Sequence, residues 1–190
     1  MKLIFATNNQ NKVKEIKAAT GHRMDIVTLK EAGIDIDIPE PYETLQENAE
    51  TKAKTIFRMT HENCFSEDTG LEVDALDGAP GVHTARYAGE QKNDADNIAL
   101  VLKNLEGKSN RKARFRTVIY LIYEGRHHSF EGVCEGTIAE KASGADGFGY
   151  DPIFVPDGGT RSFAEMTITE KAQYSHRKKA LEKLIAFLLK

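Results

Sequence analysis

Strands interleaved with helices, plus one long hairpin in the second half, predict an α/β (mixed α+β) chain built on a mixed sheet covered by helices. Three observations carry this. Residues 3–6 are a short apolar run that leads, across a polar turn, into a helical segment. Leu45, Ala49, Ala53, Ile56 and Phe57 recur at helical spacing, and residues 113–123 are dense in β-branched and aromatic side chains. With 190 residues, 40% of them apolar and 29% charged, the chain suits one compact domain over 1–190 with a real core.

Taken in order, residues 2–6 read as a buried strand, 7–11 as a polar turn, and 12–20 as a helix stopped by Gly21. Residues 25–29 read as a second strand. A loop-rich stretch over 31–41 ends in the breaker Pro39-Glu40-Pro41. Thr44 then opens a strong helix, with Glu47 completing a capping box. Residues 64–67 read as a strand running into a turn at Asp68-Thr69-Gly70, and 79–89 as a long turn around Pro80-Gly81. A helix over 93–105 turns Ile98, Val101, Leu102 and Leu105 inward. The hairpin joins 113–123 to 127–140 through Glu124-Gly125-Arg126. Residues 143–149 are glycine-rich, 153–155 strand-like, and 169–189 helical, either unbroken or interrupted near Ser175.

Composition excludes several classes. A formal net charge of −3 argues against a dedicated nucleic-acid surface. No run approaches eighteen apolar residues, and the stretch after Lys2 is too short for a secretory core. A cytoplasmic protein without a membrane span is therefore expected. Cys64 and Cys134 lie far apart in strand-like surroundings and are expected as reduced thiols. The zinc-type spacings CxxC and HExxH are absent.

Five clusters carry candidate chemistry. Ala6-Thr7-Asn8-Asn9-Gln10-Asn11-Lys12 lies between a strand and a helix, where backbone N–H groups and the positive helix end suit phosphate oxygens. Its competing reading is a turn in which Asn11 caps the helix and Lys12 is solvated; the P-loop glycines are missing. Glu67-Asp68, with Glu40 and Glu43 upstream, offers carboxylates that magnesium takes together with phosphate oxygens, or else forms a solvated turn. Lys52, one turn after Asn48, either reaches a phosphate or stays in solvent. Gly147-Phe148-Gly149-Tyr150-Asp151-Pro152 sets an aromatic between two glycines, suited to stacking on a base or to anchoring a turn. Lys171 with Ser175-His176-Arg177-Lys178-Lys179 places cations at a helix start, where an acceptor-rich ligand would suit them; on an unbroken helix they are a charged face. His22, His61, His127 and His128 have no partner spacing, and His83 near Arg86 reads as structural.

In this order along the chain, the segments resemble the inosine triphosphate pyrophosphatase family, enzymes that remove non-standard purine nucleotides. The resemblance runs through Glu47-Asn48-Ala49, Glu67-Asp68-Thr69-Gly70, Gly78-Ala79-Pro80-Gly81, Gly147-Phe148-Gly149-Tyr150-Asp151-Pro152, Phe163-Ala164-Glu165-Met166 and Lys171…Ser175-His176-Arg177. It implies hydrolysis of ITP, dITP and XTP to the monophosphate and pyrophosphate, with Mg2+. It also implies a homodimer, and an elongated, twisted mixed sheet with helices in two lobes around a central nucleotide cleft. Carried over by motif, Thr7, Asn8, Asn9, Gln10, Asn11 and Lys12 hold the phosphates with Lys52 and Thr69. Glu40 and Asp68 become metal carboxylates, and Asp68 also the base that activates water. Phe148 stacks on the base, Gly149, Tyr150 and Asp151 shape its pocket, and Lys171, His176 and Arg177 read its edge. Glu40 is placed only by its distance from Glu47-Asn48-Ala49. By the resemblance, Glu67 stands where many members of the family carry Asp, so it is a further candidate for the metal. A pyrimidine-directed house-cleaning pyrophosphatase, a non-catalytic nucleotide sensor and a nucleic-acid module are the rival readings.

Overall fold

The computed structural model describes residues 2–190. Its strands are β1 (Lys2–Phe5), β2 (Asp25–Thr28), β3 (Cys64–Val73), β4 (Lys112–Tyr123), β5 (Arg126–Ile138) and β6 (Phe154–Pro156). They form one mixed sheet in the order β2-β1-β3-β4-β5-β6. Strand β1 runs parallel to β2, with Leu3 opposite Ile26, and to β3, with Phe5 opposite Phe65. Strand β6 closes the other edge antiparallel to β5, Ile138 facing Phe154. The helices are α1 (Gln10–Thr20), α2 (Leu45–Thr60), α3 (Asp94–Asn104), α4 (Ile168–Ala172) and α5 (His176–Leu188). The predicted α/β class with a mixed, helix-flanked sheet is what the chain adopts.

The chain divides into two compact units. The first comprises the residues up to Asp68 with Thr117–Gly132 and Arg177–Lys190; the second comprises Thr69–Arg116 and Val133–His176. Each has its own core. In the first, Leu3, Ile16, Ile119, Leu121 and Leu184 pack around Phe5 and Phe65, whose rings stack with centroids 4.5 Å apart. In the second, Phe115, Phe154 and Phe163 pack with Leu71, Val101 and Ile153. Complete burial of each such side chain contributes about 1.5–3 kcal/mol. Both cysteines are buried and unbridged. Among the described residues no helix is long and apolar enough to cross a membrane.

Three local expectations are corrected. Helix α1 starts two residues early, because Asn9 rather than Asn11 is its cap. Asn9 has extended backbone, and its Oδ1 accepts from the N–H groups of Asn11 and Lys12 at 3.0 and 3.1 Å. Strand β3 does not turn at Asp68-Thr69-Gly70 but continues to Val73, since a polar stretch is held extended by cover on both faces: Ser66, Glu67, Asp68 and Gly70 are all buried. Gly70 serves close approach here. A Cβ on it would come 2.6 Å from the Gly81 carbonyl oxygen. Finally, β6 begins at Phe154, after a single 3-10 turn over Asp151–Ile153. The C-terminal helix is indeed interrupted at Ser175, between α4 and α5.

Candidate active site

In the first unit the site is built on α2. Thr44 caps this helix as its sequence predicts, accepting from the Glu47 N–H at 3.2 Å. One turn in, the buried carboxamide of Asn48 holds the backbone of Tyr42 from both sides: Tyr42 N–H donates to its Oδ1 and its Nδ2 donates to the Tyr42 carbonyl, each at 3.0 Å. That double bond pins the loop carrying Glu40. A further turn along, Lys52 Nζ donates to Glu40 Oε1, to the Glu67 carbonyl at 2.8 Å and to Asp68 Oδ1 at 3.3 Å. Burying an ammonium costs several kcal/mol, roughly, unless it is paired and hydrogen-bonded. Burial opposes the Lys52 charge, but Asp68 and Glu40 outweigh it and hold the ammonium charged. Asp68 is pushed the other way. Its burial raises the carboxyl above the ordinary aspartate range, and Lys52 and Lys12 offset this only in part.

Glu67, one residue earlier on β3, is a buried anionic hub. Its side chain is fully enclosed and meets Lys12 Nζ at 2.9 Å. Arg177 binds it through Nε at 2.7 Å and Nη2 at 3.1 Å, while Arg177 Nη1 pairs with Glu15. Burial alone would raise the Glu67 carboxyl, but Arg177 and then Lys12 hold it well below the usual carboxylate range. Lys12 is thus drawn inward from the first turn of α1 rather than left in solvent. Thr7 Oγ1 accepts from the Asn9 N–H, and Asn8 Nδ2 donates to the Ile36 carbonyl at 2.8 Å, joining this turn to the loop before Glu40. Asn8, Gln10 and Asn11 are exposed.

The second unit holds the aromatic loop. Gly147 and Gly149 take positive φ on either side of Phe148, at 76° and 59°, a region glycine enters without steric cost. Asp151 Oδ2 accepts from the Phe148 N–H at 3.1 Å and from Lys171 Nζ at 2.7 Å. Lys171 is buried and sits 5.0 Å from the Phe148 ring centroid, within cation–π range. A capping box of Thr167 with Glu170 sets the short helix α4 that carries Lys171, and another of Ser162 with Glu165 closes the 3-10 turn over Phe163–Glu165 just before it. Tyr150 is buried and donates from its hydroxyl to the Thr84 carbonyl at 2.6 Å. His176 is buried and stacks on Phe115 with centroids 4.7 Å apart. Thr69 lies half-buried in β3.

The candidate residues therefore fall into two groups. Thr7–Lys12, Glu40, Lys52, Asp68 and Arg177 belong to the first unit, and Thr69, Phe148, Gly149, Tyr150, Asp151, Lys171 and His176 to the second. Within the first unit the Arg177 guanidinium is engaged by Glu67 and Glu15.

The family model described as the Ham1 family matches residues 3–187. The chain belongs to this family. It is 52% identical over 189 residues to a dITP/XTP pyrophosphatase of Porphyromonas gingivalis, covering 99% of this chain and 97% of that one. With the enzyme of the same name from Christiangramia forsetii it shares 47% identity over 190 residues, the full length of both. The Ham1 protein structure of Staphylococcus aureus superposes with a TM-score of 0.89 at 35% identity, covering 100% and 98% of the two chains.

Within this Ham1-family chain, no group of three or more His, Cys, Asp and Glu side chains able to hold a metal occurs among the described residues. Glu40 and Asp68 nevertheless converge on one cation, the Lys52 ammonium. Two such carboxylates fit magnesium, which keeps several waters and takes phosphate oxygens in its other positions. Asn48, Glu15 and the buried pairing of Glu67 are contacts around the candidate site that sequence reasoning missed. Only Asn48 carried a signal, its place one turn ahead of Lys52 on the same helix face.

Proposed function

We propose that this protein hydrolyses non-standard purine nucleoside triphosphates (ITP, dITP and XTP) to the monophosphate and pyrophosphate, with Mg2+. The observation that carries the reading is the set Glu40, Asp68 and Lys52 around one point, with Lys12 held on Glu67 in the same unit. The names of relatives that share 47–52% of its residues support the same reaction.

The chain's own residues do the following. Lys12 and Lys52 offset triphosphate charge that would otherwise repel a nucleophile. Asp68, buried beside Lys52 at the end of the first unit's part of β3, takes the proton from the attacking water. The water oxygen bonds to the α-phosphorus as the bond to the β-phosphate bridging oxygen breaks, and pyrophosphate leaves with that electron pair. Magnesium bound by Glu40 and Asp68 would withdraw further charge from the phosphate oxygens. Thr69 supports the phosphate end. Phe148 stacks on the base, with Gly149, Tyr150 and Asp151 forming the wall, and Lys171 and His176 donate toward a 6-oxo group. The base-reading role expected of Arg177 competes with its engagement by Glu67 and Glu15.

We further propose a homodimer acting in the cytoplasm, in line with the unbridged thiols; light scattering on the purified protein tests the first part. The activity is tested by kcat/KM over ITP, dITP, XTP, GTP, ATP and dUTP with magnesium and with a chelator. Turnover of the first three, lost with the chelator, is expected. Preference for dUTP would favour the pyrimidine-directed alternative, and no turnover would favour a sensor.

A further inference from the structure

Phe148 is held by two carboxylates, and only one of them belongs to the aromatic motif. Asp151 accepts from the Phe148 N–H at 3.1 Å, and Asp94 Oδ2, on the first residue of α3, accepts from the Gly149 N–H at 2.8 Å. The two N–H groups flank the Phe148 side chain, so together they fix the direction in which its Cα–Cβ bond points. Fixing matters here because Gly147 and Gly149 leave the loop backbone otherwise unrestrained. Helix α3 also secures the next residue. Its buried Asn97 accepts from the Ala88 N–H at 2.8 Å and donates to the Ala85 carbonyl at 2.9 Å, steadying the segment whose Thr84 carbonyl receives the Tyr150 hydroxyl. The start of α3 therefore braces Phe148-Gly149-Tyr150 at two points. Asp94 itself is exposed, so its bond to Gly149 contributes little to the core.

We propose that Asp94 is a positioning residue for base recognition: through the Gly149 N–H it sets the ring plane of Phe148 for stacking. This rests on the base-stacking reading of Phe148 given above. The effect belongs in KM for a nucleotide with a good base fit, and not in the phosphate chemistry, since the bond Asp94 makes is to the loop that carries Phe148.

The test is a double-mutant cycle on dITP hydrolysis with Asp94→Ala, Phe148→Ala and both together, with Asp94→Asn as the conservative control. Asp94→Ala should raise KM about tenfold and change kcat less than about threefold, the size expected for a lost charge-assisted hydrogen bond. Asp94→Asn keeps an acceptor oxygen and should restore KM. In the Phe148→Ala background, removing Asp94 should add less than about twofold, because its route to substrate is gone. Additive losses in the double variant, or failure of Asp94→Asn to restore KM, would overturn the proposal while leaving base stacking intact. A wild-type KM for Phe148→Ala would overturn both. Wild-type protein that does not hydrolyse dITP would overturn the proposed function first.

Discussion

Arg177 grips Glu67 with two nitrogens across 110 residues of sequence, Nε to Oε2 at 2.7 Å and Nη2 to Oε1 at 3.1 Å. The third, Nη1, is taken by Glu15. With those donors engaged inside the first unit, Arg177 is linked through Glu67 to Lys12, and the proposed reaction makes that link one to the phosphate end. Arg177→Met should lower kcat/KM for dITP and dATP by the same factor. It should also cost about 3–5 kcal/mol in urea unfolding, because a buried carboxylate loses its principal partner. A loss confined to dITP would restore the edge-reading role that its motif suggests.

The same pair gives a pH dependence with a definite sign. The folded Glu67 carboxyl lies below its unfolded value, held there by Arg177 and Lys12 against the effect of burial. Its contribution to stability is therefore complete above the unfolded value of about 4.3 and is lost as pH falls through the lower, folded value. The stability gap between wild type and Glu67→Gln should be flat through neutral pH and shrink on acidification below about pH 4.3. A gap that widens with acid would contradict the assignment.

Asp68 is the residue assigned to proton removal. Asp68→Asn keeps the shape of the side chain and an acceptor for Lys52, so folding should survive while turnover falls about 100-fold or more at saturating magnesium. Near-normal turnover in a folded variant would remove Asp68 from the mechanism.

Cys64 tests the packing of the first unit independently of activity. Its thiol is fully buried, donates to the Ala53 carbonyl at 3.3 Å, and is pushed up to about 12 by burial. The thiolate, the reactive form, is then scarce at pH 8. Iodoacetamide should leave Cys64 unmodified in the native protein and label it in urea, as read by peptide mass spectrometry. Rapid native labelling would mean that the Cys64 thiol is not buried against the Ala53 carbonyl of α2.

The elements legible in the sequence were those coded locally. Thr44 with Glu47, the Leu45-Ala49-Ala53-Ile56 stripe and the run over 113–123 each state their structure within a few residues, and each was matched. Glu67-Asp68-Thr69-Gly70 misled because acids and glycine usually mark a turn. What keeps them extended is cover supplied by Lys12, Lys52 and Gly81, which are distant in sequence. Lys52 likewise sits at the margin of an apolar stripe, and only the pinning of the Glu40 loop by Asn48 shows that it is buried and paired. The Glu15–Arg177–Glu67–Lys12 network had no local signature at all, since its members come from α1, β3 and α5.

Attack of water on the α-phosphate of a 6-oxo purine nucleotide is read out by isotope labelling in H2(18)O. In the proposed base-reading role Lys171 can only donate, so the 6-oxo group of hypoxanthine pairs with it while the 6-amino group of adenine leaves it facing donors. Hydrolysis of dITP with magnesium should therefore place one 18O in the deoxyinosine monophosphate and none in the pyrophosphate. Under the same conditions dATP should react more slowly by about 100-fold or more, within the range that a site built to pair one polar group achieves. Label in the pyrophosphate, release of single phosphate, or equal rates for dITP and dATP would contradict the account.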